Sequence, residues 1–225
     1  MLINIPKNAK QLFINGPKGQ LDCLELLPTN KNELDSNSQK NDIYVTNEFG
    51  ASGVAIIFHP NPVEGGTNTN KIVQTIAKVL TQKGYICYCP NLRGVGLSAG
   101  EHDFGNGEVA DGMAVHKYVR EHYPNLPLVL AGFSFGTKIA SNLAHQVDYT
   151  KLILVGPAVT RHDITIENSN KTIVIHGDED EVIPFLDVLK WSKTQNQAII
   201  SFPNTGHFFH GKLVQLQNLL NQFNY

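Results

Sequence analysis

Three cysteines are too few to form a disulfide framework, and an odd number cannot all pair with one another. Cys87 and Cys89 stand two apart in the strand-like run YICYC, so their side chains face the same way. No second CxxC or CxxH pair exists to build a zinc site, and these thiols read as buried and reduced, as in a cytoplasmic protein. Long hydrophobic runs are absent as well. None approaches the roughly 18 apolar residues that read as a membrane span. The N-terminal MLINIPKNAK has no apolar core followed by small cleavage-site residues, so no signal peptide is expected. Excess charge is also missing: 18 Lys and Arg stand against 20 Asp and Glu, a formal net charge of −2. That balance leaves no basic field for nucleic acid and no cationic face for anionic lipid.

What is present is enough apolar material for a core. Of the 225 residues, 41% are hydrophobic and 17% charged, which is globular rather than disordered, and the length suits a single domain over residues 1–225. Near the N-terminus, QLFINGPKGQLDCLELLP reads as two short strands about the turn Asn15–Gly19. Residues 28–50 are polar and read as a loop embellishment, with a short strand possible at DIYVTN. An alternation then begins. GVAIIFH, YICYCP, LPLVLAGF, KLILVGP, KTIVIHGD and AIISFPN read as strands, several of them continuously apolar, as strands covered on both faces are. Helical patterns intervene. Ile72, Ile76 and Leu80 recur at helical spacing, as do Phe135, Ile139 and Leu143, and a further helix stops before Pro124. EVIPFLDVLKWSK and HFFHGKLVQLQNLLNQF read as the last two helices. The rhythm predicts an α/β fold with a mostly parallel central sheet and helices on both faces.

Chemistry concentrates at three strand ends. In LAGFSFGTKIA, Ser134 stands between Gly132 and Gly136, where a strand feeds directly into a helix. A serine on such a sharp turn projects its hydroxyl above the sheet, and the flanking glycines remove side chains that would clash. The competing reading is a serine capping a helix. A serine hydroxyl needs a base, and the base an orienting carboxylate. TIVIHGDEDEVIP ends a later strand in acids, and ISFPNTGHFFHG ends the last strand in histidine, so the chain order is Ser, acid, His. His207 falls in that last loop; His210 is expected one turn into the following helix, which makes His207 the preferred base.

With these motifs, and with FHPNPVEGGTNTNK and NLRGVGLSAGEHDFGNGE, the chain from Phe13 onward resembles the α/β-hydrolase superfamily, and more narrowly compact bacterial serine hydrolases of dienelactone-hydrolase-like type. The resemblance implies Asp180 as the acid, from the pattern G-x-x-D-x-V-x-P, with Asp178 as competitor and suited rather to bracing the turn. It also implies an oxyanion site made of the Phe135 N–H and an N–H from the loop after GVAIIFH. Asn61 is the only backbone donor in the middle of the loop HPNP, because Pro60 and Pro62 have no N–H. The group often carries a second histidine where this chain has Asn61. His59 is expected to frame the loop. Arg93 is expected to pin neighbouring loops, with substrate carboxylate binding as the alternative. The gap Ala158–Asn170 leaves no room for a helical cap, so a shallow pocket is expected, bordered by residues 64–70, 98–107 and part of 28–50. The implied activity is hydrolysis of small acyl substrates, esters or thioesters, without cofactor or metal and without nucleic-acid or membrane partners. Peptide or amide hydrolysis, and a non-catalytic interaction protein on the same fold, are the alternatives.

Overall fold

The computed structural model describes residues 9–28 and 50–225. The possible strand at DIYVTN and most of the polar stretch 28–50 lie outside the described residues.

The N-terminal segment forms a hairpin of β1 (Ala9–Gly16) and β2 (Gly19–Leu26), paired antiparallel in full register from Ala9 opposite Leu26 to Gly16 opposite Gly19. The alternating part follows as β3 (Gly53–Phe58), α1 (Lys71–Gln82), β4 (Tyr85–Pro90), α2 (Asn106–His122), β5 (Leu128–Phe133), α3 (Phe135–Ala144), β6 (Lys151–Val155), β7 (Thr172–Gly177), α4 (Phe185–Thr194), β8 (Ile199–Phe202) and α5 (Leu213–Asn221). The described strands make one eight-stranded sheet in the order β1-β2-β4-β3-β5-β6-β7-β8. β2 runs antiparallel to β4, and from β4 to β8 all neighbours are parallel. The expected mostly parallel α/β sheet is therefore present.

Side-chain alternation divides the interior into two layers. On β3, Val54, Ile56 and Phe58 join the layer beneath α2 and α3, with Val115, Val119, Ile139 and Leu143. Ala55 and Ile57 point the other way, toward α1 and α5, with Ile72, Ile76, Leu80, Leu216 and Leu220. Both helical stripes read from the sequence thus face the sheet. Cys87 and Cys89 share the α1/α5 layer, as their spacing implied, while Cys23 lies in the other. All three are free and fully buried, and burial raises their pKa values, so none is a ready thiolate.

Two helix starts differ from expectation. α4 begins at Phe185 rather than Glu181, because the Val182 and Ile183 amides donate to the Asp180 side chain and Pro184 forms the cap position. α5 begins only at Leu213, so His210 lies in a turn ahead of the helix and not one turn inside it. Between β6 and β7 the chain forms only turns and one short 3₁₀ segment, Ser169–Lys171, with no helical cap.

Phe58 ends the strand beside the turn that carries Ser134 and is fully buried; a Cβ added to Gly112 of α2 would stand 3.1 Å from its ring. Truncating it leaves a cavity in the layer beneath α2 and α3. Phe58→Ala is expected to destabilise the fold by about 3–5 kcal/mol, read as a lowered urea midpoint with an unchanged m-value.

Candidate active site

β5 is buried along its whole length and delivers the chain to Ser134, whose backbone sits at φ 52°, ψ −116°. A non-glycine residue there is strained by about 1–3 kcal/mol, so the surroundings must hold it. They do so from both sides. The Ser134 N–H donates to the Val155 carbonyl of β6 at 3.0 Å, and its own carbonyl accepts from the Thr137 N–H at 3.0 Å. Gly132 and Gly136 make the turn possible: a Cβ on the first would lie 2.2 Å from the Gly136 oxygen, and on the second 2.3 Å from the Phe58 oxygen. No side chain fits at either place. Ser134 makes no capping hydrogen bond to the helix behind it, so the capping alternative does not describe this residue.

Its hydroxyl lies instead 2.9 Å from His207 Nε2, and His207 Nδ1 lies 2.7 Å from Asp180 Oδ2. A carboxylate accepts only, so Nδ1 carries the proton and the Nε2 lone pair faces the serine hydroxyl. All three residues are at most 6% exposed. The other oxygen of Asp180 accepts from the N–H groups of Val182 (2.9 Å) and Ile183 (2.7 Å). Burial pushes the Asp180 carboxyl up, but the bonds from His207 and Ile183 and the neighbouring imidazoles outweigh it and leave it below its ordinary value. Asp178, the competitor, is exposed and receives the Thr205 N–H at 3.4 Å, as a turn-bracing residue would. The two loops meet closely because Gly177 has no side chain; a Cβ there would lie 2.1 Å from the Thr205 oxygen. Glu181 adds a contact from the His207 N–H at 3.2 Å. His210 is exposed and takes no part in this relay.

The loop after β3 is held by its own turns. The Asn61 carbonyl accepts from Glu64 (3.2 Å) and Gly66 (2.9 Å), and its side chain accepts from the Val63 N–H (3.1 Å). The Asn61 N–H has no acceptor among the described residues. Phe135 is the first residue of α3, so its N–H has no acceptor within the helix. His59 frames this loop as expected: Nδ1 donates to the Pro60 carbonyl at 2.7 Å, and Nε2 accepts from the Leu92 N–H at 3.0 Å. Arg93 is buried, with Nε and Nη2 both on Asp111 at 2.9 and 2.7 Å, so it pins the loop after β4 to α2 and its fork is not open to a substrate carboxylate.

Two participants escaped the sequence reading. His176, fully buried at the end of β7, donates from Nε2 to the Ile183 carbonyl at 2.9 Å and lies 3.3 Å from Asp180 Oδ2. Burial keeps it neutral, so it adds a donor beside the carboxylate without neutralising it. Glu108 is fully buried and accepts from the Asp103 and Gly105 N–H groups at 2.7 and 2.8 Å. Its sequence signal was present: an acid three residues after a glycine at a helix start. Among the described residues, no three His, Cys, Asp or Glu are grouped to hold a metal ion.

A parallel sheet that brings serine, histidine and aspartate from three strand ends into one hydrogen-bonded chain defines the α/β-hydrolase architecture. Comparison with known proteins agrees. Residues 56–173 match the family described as "Serine aminopeptidase, S33". A serine hydrolase without lid from Xanthomonas campestris is similar at 34% identity, over 97% of this chain and 94% of that one, with a TM-score of 0.82. An α/β serine hydrolase homologue from Coxiella burnetii is similar at 32% identity, over 97% and 99%, with a TM-score of 0.77. At 13% identity, an esterase of Pyrococcus furiosus shares the fold over 96% of this chain and 92% of that one, with a TM-score of 0.67. The chain belongs to the α/β-hydrolase superfamily, among its lidless serine hydrolases.

Burial lowers the His59 pKa from 6.5 to about 4, against a smaller opposing effect of its bond to Pro60. Between those values only the unfolded chain takes up the proton, so stability falls as pH falls from 6.5 toward 4, by up to about 3 kcal/mol. Urea titrations across that range should show His59→Gln with a flatter dependence than the parent; parallel curves would contradict the assignment.

Proposed function

We propose that the protein hydrolyses small carboxylic esters or thioesters through an acyl-enzyme on Ser134. The observation that carries this reading is the relay from Ser134 Oγ through His207 to Asp180, at 2.9 and 2.7 Å. As the hydroxyl attacks the acyl carbonyl, its proton passes to His207 Nε2. Asp180 holds the ring by Nδ1 and stabilises the imidazolium that forms. The oxyanion is received by the N–H groups of Asn61 and Phe135, the latter at the positive end of α3. Collapse of the intermediate breaks the bond to the alcohol or thiol, which takes its proton from His207. A water molecule, deprotonated by the same imidazole, then attacks the acyl-enzyme and releases the acid and the free Ser134 hydroxyl.

The matching family's description as an aminopeptidase supports peptide hydrolysis as a second reading. An aminopeptidase needs a free carboxylate to receive the substrate's ammonium group. Glu64 is paired with Arg161 at 2.7 Å, Glu108 is taken up by two backbone amides, and Glu181 receives the His207 N–H. Esters and thioesters are favoured because their leaving groups depart more readily than an amine.

The purified protein is expected to hydrolyse 4-nitrophenyl acetate and to be labelled by a fluorophosphonate probe. Ser134→Ala should abolish labelling and lower kcat/KM by about 10⁴-fold or more. Equal activity in both proteins would rule out the acyl-enzyme; a variant that loses labelling while keeping the parent melting temperature would locate the chemistry at this hydroxyl.

A further inference from the structure

Resting on that acyl-transfer reading, we propose that Phe104 is a specificity-determining residue whose ring receives the acyl part of the substrate, so that the site takes esters with an aromatic or extended apolar acyl group. Phe104 is 72% exposed and its backbone sits at φ 50°. A bulky aromatic residue in the left-handed region is an outlier, and an exposed aromatic ring gains nothing from burial. Both costs are imposed by a specific device. The fully buried Glu108 carboxylate grips the N–H groups on either side, Asp103 at 2.7 Å and Gly105 at 2.8 Å. The same carboxylate lies 2.7 Å from His102 Nδ1. The buried acid that caps α2 thus also holds this phenyl ring in water.

That ring is linked to the site through two successive ring contacts. Phe104 packs against the His102 ring (centroids 5.0 Å), and His102 packs against the ring of Phe135 (5.3 Å), whose N–H is the proposed oxyanion donor. A second exposed ring, Phe208, is 42% accessible and lies against His207 at 5.1 Å. His207 hands its proton to the leaving group, so Phe208 marks the alcohol or thiol side. Phe104 is linked to Phe135 and not to His207, and on that ground the acyl side is assigned to it. An apolar acyl group laid on Phe104 would remove both surfaces from water, and the strained loop would present a preformed contact rather than one assembled on binding.

Glycine adopts φ 50° without strain, which gives the test its discrimination. Phe104→Gly and the parent are compared on two esters with one leaving group, 4-nitrophenyl acetate and 4-nitrophenyl 3-phenylpropionate, alongside melting temperature and fluorophosphonate labelling. The variant is expected to keep or raise its melting temperature, to lose about tenfold in kcat/KM on the phenylpropionate, and to change less than twofold on the acetate, with Phe104→Leu intermediate. A labelled, folded variant that treats both esters as the parent does, or loses equally on both, overturns the acyl contact alone. A parent that is neither labelled nor active on either ester overturns the acyl-transfer reading beneath it.

Discussion

The arrangement depends on one backbone-to-backbone approach, where the first turn of α3 meets the end of β3. Gly136 comes so close to the Phe58 carbonyl that a methyl group would overlap it. That proximity sets where α3 begins, and therefore where the turn before it must bend. Ser134 is held at φ 52° by its N–H bond to Val155 and by the first bonds of the helix. Because the approach uses backbone atoms, it leaves no slack for a side chain to absorb. It also brings the first turn of α3 against the start of the loop carrying Asn61, where a Cβ on Gly136 would lie 2.8 Å from the His59 oxygen.

The electrostatics of the site follow from how completely its charge is bonded. A buried carboxylate without donors would sit well above its ordinary pKa; Asp180 sits below, because two amides and the His207 ring N–H reach it. His176 adds an imidazole N–H beside the same oxygen while staying uncharged, so it does not compete with His207 for the negative charge. Gly177 and Gly206 let the acid loop and the histidine loop touch. A Cβ on Gly206 would lie 2.6 Å from Glu181, the residue that receives the His207 N–H. The same logic appears around α2, where Asp111 takes the Arg93 fork and Glu108 takes two amides, so buried acids organise the loops that border the site.

The strands were legible because a parallel sheet covered on both faces demands continuous apolar runs, and the chain supplies them from Gly53 onward. The turn carrying Ser134 was legible because its steric demands fall on two glycines at fixed spacing from the serine. The choice of Asp180 over Asp178 was different: both acids follow the same strand, and only the family spacing favoured one before coordinates showed which carboxylate faces His207. The start of α5 was misread because the apolar pattern of HFFHG continues into the helix, although Phe208 and Phe209 pack as turn residues, Phe209 with φ 53°. His176 was hidden in an apolar strand where only the neighbouring loop reveals a partner. Phe104 was hidden because nothing in a sequence marks a phenylalanine as displayed rather than buried.

Asp180 holds His207 by Nδ1–H and so leaves Nε2 for Ser134. Nitrogen-resolved proton NMR of the imidazole groups tests it most directly. The account predicts a strongly downfield Nδ1–H resonance that disappears in His207→Gln and in Asp180→Asn but persists in Ser134→Ala. Its absence from the parent protein, or its survival in Asp180→Asn, would contradict the account.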